Sequence, residues 1–164
     1  MRVNPPTGRS WLLALLFFLL IAGQGPAAQQ GPPPPPARAK CPVCGMFVAK
    51  YPAWTGAVVY RDGAAVYFDG PKDLFAYCLN PGRYDPARKR TDGAAVYVKD
   101  YYSLAFIDGR QAYFVAGSDV LGPMGKELVP FEKKSDAEGF LHDHRGKRVL
   151  RFGEITPATL KQLE

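Results

Sequence analysis

Two short segments restrict what this chain can fold into. Both consist of Asp-Gly, then three other residues, then Tyr-Phe. They are DGAAVYF at 62–68 and DGRQAYF at 108–114, an offset of 46 residues. Each Asp-Gly lies between runs rich in β-branched and aromatic residues, and this combination is typical of a β-hairpin. The sequence therefore predicts two hairpins that belong to a repeated unit.

A helix and a closing strand are predicted after each hairpin. In the first unit, Asp69 and Gly70 read as a cap, Pro71 starts a helix to about 79, and a strand follows at 94–100. In the second unit, Ser135 reads as the cap of a helix over 135–144, before a strand at 147–152. The prediction is an α+β fold of two pseudo-repeated β-β-α-β units, roughly 41–100 and 101–156, in one globular part over 41–164.

The N-terminal residues predict export. Arg2 and Arg9 precede an apolar run at 11–22, and the small residues that follow suit cleavage by signal peptidase. Residues 1–28 are therefore interpreted as a signal peptide or an N-terminal membrane anchor that tethers the protein through 11–22, because 12 apolar residues fall short of a full span. The predicted location is the periplasm or the extracytoplasmic face of the membrane.

A proline-rich linker is predicted at 29–40, where five consecutive prolines stand among small and basic residues. The chain has 164 residues, and its hydrophobic content of 47% is enough for a packed interior. The formal net charge is +6, but the Lys and Arg residues are spread along the chain. Nucleic-acid binding is not expected, because such proteins concentrate positive charge on one face.

The segment CPVCGM at 41–46 is the first candidate site. Cys41 and Cys44 have the Cys-x-x-Cys spacing that brings two sulfurs to one metal or into one redox disulfide. This is half of a four-sulfur site, and the other cysteine, Cys78, falls on the apolar face of the first predicted helix. Cys78 is predicted to be a buried and inert core residue.

Met46 and Met124 both stand beside glycines, outside apolar periodic runs. Thioether and thiolate together are the ligands that select Cu(I), so the methionines are interpreted as ligands, with incidental loop residues as the alternative. His142 and His144, at the end of the second predicted helix, are accessory ligand candidates. The favoured interpretation is that both histidines are solvated and stabilise the dipole at the helix C-terminus.

Several motifs in order resemble the NosL family of accessory proteins of nitrous oxide reductase. The resemblance covers 41–156 and rests on these stretches: CPVCGM, Trp54, YFDGPKDLFAYCL, VYVKDY, AYFVAGSDVLGPMGKELVPF, Ala137 to Phe140, and RVLRFGEI. It implies a pair of β-β-α-β units. It also implies an exported Cu(I)-binding metallochaperone, with no enzymatic turnover, that delivers copper for the reductase centres used in denitrification.

The resemblance also implies a ligand set and partners. The family's Cys-Gly-Met falls on Cys44 to Met46 and its Gly-Pro-Met-Gly falls on 122–125, so Cys44, Met46 and Met124 are the implied ligands, with Cys41 as a fourth. The implied partners are apo-nitrous oxide reductase and an upstream copper donor. Two features depart from the family pattern: no lipoprotein cysteine follows the apolar run, and His144-Arg145-Gly146 stands where His-Gly-Gly is frequent.

Two other functions fit the cysteine pair. A periplasmic thiol-disulfide oxidoreductase would use Cys41 and Cys44, although such motifs usually open a helix in a βαβ setting. A structural zinc knuckle would use the same thiols without any transport role.

Overall fold

The structure is a computed structural model that describes residue 1, residues 31–88 and residues 94–164. Residues 2–28 of the predicted signal peptide or anchor, and residues 29–30 of the linker, lie outside these ranges. Within them, no helix is both long and apolar enough to cross a bilayer. The elements in chain order are β1 Gly56–Val59, β2 Ala65–Phe68, α1 Pro71–Leu79, α2 Pro81–Tyr84, β3 Ala95–Lys99, β4 Phe106–Asp108, β5 Tyr113–Gly122, β6 Gly125–Phe131, α3 Lys134–Asp143, β7 Arg148–Arg151 and α4 Pro157–Lys161.

The strands form two antiparallel sheets, with strand orders β2-β1-β3-β4 and β6-β5-β7. The α+β prediction is confirmed. The successions β1-β2-α1-β3 and β5-β6-α3-β7 are alike, and each places its first strand between the other two. This common order is consistent with the predicted pseudo-repeat.

The first predicted hairpin is confirmed. β1 pairs with β2 from Gly56 opposite Phe68 to Val59 opposite Ala65. Gly63, at the turn, has a φ of +83°, a conformation that glycine adopts without the cost of a Cβ clash.

The second predicted hairpin is wrong. Asp108 and Gly109 do form a turn, in which the Asp108 carboxylate accepts from the Arg110 amide at 2.9 Å. However, β4 before this turn pairs with β3, whereas β5 after it pairs with β6 and β7. The turn therefore connects the two sheets, and the hairpin of the second unit closes at 122–125, around Met124.

The first predicted helix has the bounds of α1, Pro71–Leu79. The capping prediction for the second helix is wrong, because α3 begins at Lys134 with Lys133 as its N-cap and without a side-chain cap. Ser135 lies inside the first turn, where its hydroxyl contacts the Asp136 carboxylate at 3.2 Å.

The second sheet is buried on both faces, which explains the near-continuous apolar run of β5. Phe114 and Ala116 of β5 belong to the main core, together with residues of the first sheet and of α1. Val115, between them, packs in a second cluster with Phe131 of β6 and Phe140 of α3. Because side chains alternate along a strand, α1 covers one face of this sheet and α3 covers the other.

Asp100 joins the two sheets. Its carboxylate accepts hydrogen bonds from Ser103 after β3 and from the Glu132 amide after β6, the latter at 2.8 Å. Burial alone would raise the pKa of Asp100, but these donors hold it below its usual value.

Residues 31–40 of the predicted linker lie against the first sheet. The Tyr67 hydroxyl donates to the Pro33 carbonyl at 2.9 Å, and Gly31 lies against the Phe106 side chain. Lys40 then forms an isolated antiparallel bridge with Phe47. The proline-rich residues thus lead directly into the segment that carries Cys41 and Cys44.

Candidate metal centre

A tight loop holds the two cysteines. The Cys41 amide donates to the Met46 carbonyl and the Gly45 amide donates to the Cys41 carbonyl, both at 2.9 Å. Gly45 has a φ of +80°, which a side chain at this position would disfavour. These backbone hydrogen bonds therefore close a loop over residues 41–46, and both thiols belong to this loop.

Two carboxylates from the start of α1 meet these thiols. The Cys41 Sγ donates to Asp73 Oδ2 at 3.2 Å, and the Cys44 Sγ donates to Asp69 Oδ1 at 3.3 Å. One ligand atom from each of the four residues lies within 4.8 Å of the others. This set, which we call the thiol-carboxylate cluster, could hold one metal ion.

The cluster contains a buried acceptor atom without a partner. Asp69 is fully buried, and its Oδ2 has no hydrogen bond. Asp73 and Cys41 are also buried, whereas Cys44 is partly exposed. A buried carboxylate oxygen normally has a hydrogen bond or a cation, so this atom indicates a place for a cation.

The cluster holds its protons tightly when it is metal-free. Burial, and next the Asp73 carboxylate, raise the pKa of Cys44 to about 12. Burial raises the pKa of Cys41 well above its usual range, and burial also raises that of Asp73. A metal ion must therefore displace protons from the thiols, and its apparent affinity should increase with pH.

These pKa directions disfavour disulfide exchange at the cysteine pair. A catalytic Cys-x-x-Cys thiol has a lowered pKa, because the thiolate is the attacking species. Here both pKa values are raised, and the next element is a three-residue 3-10 turn, Val48–Lys50, rather than an α-helix. The thiols suit Cu(I) or zinc, and the carboxylates extend the donor set toward zinc.

The Met124 turn lies against the same end of α1. The Lys72 ammonium donates to the Met124 carbonyl at 2.8 Å, and the Lys72 amide donates to the Glu127 carboxylate at 2.5 Å. Met124 is 46% exposed and Met46 is partly buried. Both methionine loops thus adjoin the first turn of α1, while coordination by their sulfurs stays a prediction.

The histidines have other neighbours. His142 is exposed and contacts the Asp143 carboxylate at 3.3 Å. His144 lies 3.1 Å from the Asp119 carboxylate and stacks on the Phe140 ring, with 4.2 Å between ring centroids. Among the residues that the structure describes, the group that could hold a metal ion comprises Cys41, Cys44, Asp69 and Asp73 and neither histidine.

The exposure of the cysteines differs from the sequence prediction. Cys78 is partly buried rather than buried, and it packs against the main core. Cys41 is only 1% exposed and is the most buried of the three. The least accessible of the three thiols is therefore Cys41, which lies in the candidate ligand loop.

Sequence reasoning missed the two carboxylates of the cluster. It read Asp69 as a helix cap, but α1 has Gly70 as its N-cap and no side-chain cap. The available signal was Asp73, a charged residue one turn before Tyr77 on the buried face of the helix. A carboxylate at such a position requires a partner.

Comparisons with known proteins agree on one family. A family model described as NosL matches residues 34–160. The Copper-binding lipoprotein NosL of Stutzerimonas stutzeri is 31% identical over 131 residues, which are 75% of this chain and 65% of that protein. The chain therefore spans just under two thirds of the length of this curated relative.

Two solved structures are similar to the chain. The crystal structure of the copper chaperone NosL from Shewanella denitrificans has a TM-score of 0.65 at 30% identity, covering 80% of this chain and 99% of that one. The solution structure of the apo-NosL protein from Achromobacter cycloclastes has a TM-score of 0.45 at 25% identity, covering 64% and 87%. The Stutzerimonas protein is named for copper binding and the Shewanella protein is named a copper chaperone.

Proposed function

The chain belongs to the NosL family, and from that premise we propose that it is an exported, extracytoplasmic Cu(I)-binding metallochaperone. It delivers copper for assembly of the copper centres of nitrous oxide reductase, after receiving it from an upstream donor. The observation that carries the proposal is the pair of thiols, Cys41 and Cys44, that one loop holds together in the thiol-carboxylate cluster.

The ligands proposed for Cu(I) are Cys44, Met46 and Met124, with Cys41 as the fourth. Within this ligand set, Cys44 is the partly exposed thiol and Met124 the exposed thioether, so a partner's ligand would reach these two first. Cys41 and the carboxylates lie on the buried side. Such a site supports transfer, because a partner's ligand can bind copper before the last of these ligands leaves.

The proposal is tested by anaerobic Cu(I) titration of the reduced full-length chain against a chromophoric copper chelator. We expect one tight site that Cys44→Ser weakens at least about tenfold, or about 1.4 kcal/mol. Cys78→Ser is the matched control, because Cys78 is partly exposed but lies outside the cluster. Wild-type affinity in Cys44→Ser would exclude the copper site as proposed.

Delivery requires a separate measurement. The copper-loaded chain is mixed anaerobically with apo-nitrous oxide reductase, and the copper content of the re-isolated reductase is measured, with the same total copper on the chelator alone as the control. We expect faster loading of the reductase from the chain than from the chelator. Tight copper binding without transfer would contradict delivery but leave the copper site intact.

The carboxylates of the cluster favour a second candidate, a structural zinc site. A parallel zinc titration separates the two functions. Tight zinc binding that Asp69→Asn abolishes, together with weak Cu(I) binding, would favour the structural role.

A further inference from the structure

A cavity lies where β5 departs from its partner strand. The register between β5 and β6 is irregular between Ala116 and Leu121, and Gly117 has a φ of +79°. This irregularity lies beside a cavity of about 270 Å³ whose lining includes Ser118 and, just after α4, Gln162. Bulges of this kind occur frequently beside binding sites, where they redirect side chains.

Three cationic side chains from two strand regions line this cavity. They are Lys126 of β6, and Lys147 and Arg148 at the start of β7. The Arg148 Nη2 donates to the Gln162 Oε1 at 2.8 Å, which fixes one side of the guanidinium group. The Lys147 stem passes over Gly117, where a Cβ would come within 2.9 Å of the Lys147 Cγ.

Acidic groups do not balance these charges at the cavity. Among the lining residues that the structure describes there is no Asp or Glu. Asp119 is the nearest acidic residue along β5, and its carboxylate lies 3.1 Å from the His144 ring nitrogen. The lining side chains therefore carry net positive charge.

The cavity lining also includes a polar side chain whose hydrogen bond is missing. Ser118 is 8% exposed, and its Oγ has no hydrogen-bond partner. An unsatisfied buried hydroxyl is uncommon in native proteins and calls for an explanation, such as an absent ion. This observation is independent of the three charges.

We propose that this cavity binds a phosphate group through Lys126, Lys147, Arg148 and the Ser118 hydroxyl. A guanidinium, two ammonium groups and a hydroxyl are donors that match several oxygens of one tetrahedral anion. A volume of about 270 Å³ holds a phosphate or a small phosphate ester. The lining shares no residue with the thiol-carboxylate cluster, so the site does not depend on bound copper.

The phosphate group can come from solution or from an anionic phospholipid headgroup. Binding to the reduced, metal-free full-length protein in neutral detergent is followed by amide NMR shifts, with inorganic phosphate as the probe at low ionic strength. Cosedimentation with phosphatidylglycerol vesicles, compared with phosphatidylcholine vesicles, tests the headgroup source. If the protein cosediments more with phosphatidylglycerol than with phosphatidylcholine vesicles, and Arg148→Gln removes this difference, the ligand is the lipid headgroup. If the protein binds phosphate but cosediments equally with both vesicles, the ligand is the soluble anion.

The expected result is a saturable shift at Gly117, Ser118 and Arg148. Lys147→Gln and Arg148→Gln should each weaken phosphate binding about tenfold, because each removes a charge-assisted hydrogen bond. Lys133→Gln is the matched control, since it makes the same charge change outside the cavity and should leave binding unaltered. Arg148→Gln provides the second test if Lys147→Gln disturbs the backbone at Gly117.

Ser118→Ala separates a binding role from a packing defect. The variant should retain the fold and weaken phosphate binding several-fold, because the hydroxyl has no partner in the protein to lose. The proposal is overturned by an absence of saturable shifts, by unchanged affinity in Ser118→Ala, or by an equal loss in Lys133→Gln.

Discussion

Burial, more than the hydrogen bonds to the carboxylates, raises the pKa of both thiols of the cluster and decides how these cysteines react. A thiol with an ordinary pKa of about 8.5 stops gaining reactivity above that pH, because it is already thiolate. Cys44, with its pKa raised to about 12, stays mostly protonated there, and Cys41 is both protonated and shielded from solvent. The rate of alkylation should therefore differ from that of an ordinary thiol, and the two cysteines of the Cys-x-x-Cys motif should not react as a pair.

We predict that iodoacetamide labels Cys44 and Cys78 in the metal-free native protein and spares Cys41. The Cys44 rate should increase about tenfold per pH unit from pH 7 to 9.5 without a plateau, because its thiolate fraction grows throughout that range. Mass spectrometry of quenched samples measures both outcomes, with urea-unfolded protein as the control in which all three react. A plateau near pH 8.5 at Cys44 would contradict the raised pKa.

We predict that Met46→Leu and Met124→Leu each lower Cu(I) affinity about tenfold while zinc affinity hardly changes. Leucine keeps the volume and apolarity of methionine, so the free energy of unfolding should change by less than about 1.5 kcal/mol. Competition titrations with both metals measure the effect. Unchanged Cu(I) affinity in both variants would remove the methionines from the site.

At the residue scale, the sequence predicts the thiols but not the carboxylates beside them. A cysteine pair three residues apart is a local signal, and the loop around Gly45 closes through local hydrogen bonds. Asp69 and Asp73 acquire their role only when α1 packs against that loop, across 25 and 32 residues of chain. A single sequence carries little information about such a long-range contact.

At the scale of elements, α1 and the β5-β6 hairpin are joined by a buried carboxylate. Burial raises the pKa of Glu127 to about 8. The Glu127 carboxylate accepts hydrogen bonds from the amides of Leu128 and Lys72, and these bonds lower its pKa by a smaller amount. Between the ordinary Glu value of 4.5 and about 8, the folded protein holds a proton that the unfolded chain has lost. The free energy of unfolding should therefore fall as the pH rises through this window.

We predict that Glu127→Gln removes most of this pH dependence. The Gln side-chain carbonyl can accept from the same two amides, and it has no proton to release. Urea unfolding from pH 5 to 8 should show a fall of several kcal/mol in the wild type and a much smaller fall in the variant, to which the raised pKa of Asp73 still contributes. Glu132→Gln, which makes the same change at an exposed carboxylate outside this junction, should retain the wild-type slope. Equal slopes in wild type and Glu127→Gln would contradict the raised pKa.

The elements differ in how far local sequence determines them. Pro71 after Asp69-Gly70 fixes the start of α1, and the Asp62-Gly63 turn joins strands that do pair. Asp108-Gly109 is an equally good turn, but its flanking strands enter different sheets. Turn residues specify a local reversal of the chain, whereas strand pairing depends on the packing of both sheets against α1 and α3.

At the scale of the whole molecule, a metal ion in the cluster would link the 41–46 loop to α1 and thereby stabilise the fold. We predict that Cu(I) raises the midpoint of thermal unfolding by about 10 °C at a free concentration about 1,000 times the dissociation constant. Binding should also release thiol protons, which calorimetry in buffers of different ionisation enthalpy detects. At the same free copper concentration, a tenfold loss of affinity in Cys44→Ser should lower the thermal shift by about a third and remove the release of the Cys44 proton. An unchanged thermal shift in that variant would place the copper elsewhere.

The contacts of residues 31–40 have a mechanical consequence. Tyr67 and Phe106 hold Pro33 and Gly31 on the first sheet, upstream of Cys41 along the chain. A pulling force on the N-terminal side would therefore load the sheet through these contacts before it reached the cysteine loop. Residues 31–40 would then bear the load, and the distances between the thiols and the carboxylates would stay constant under such a force.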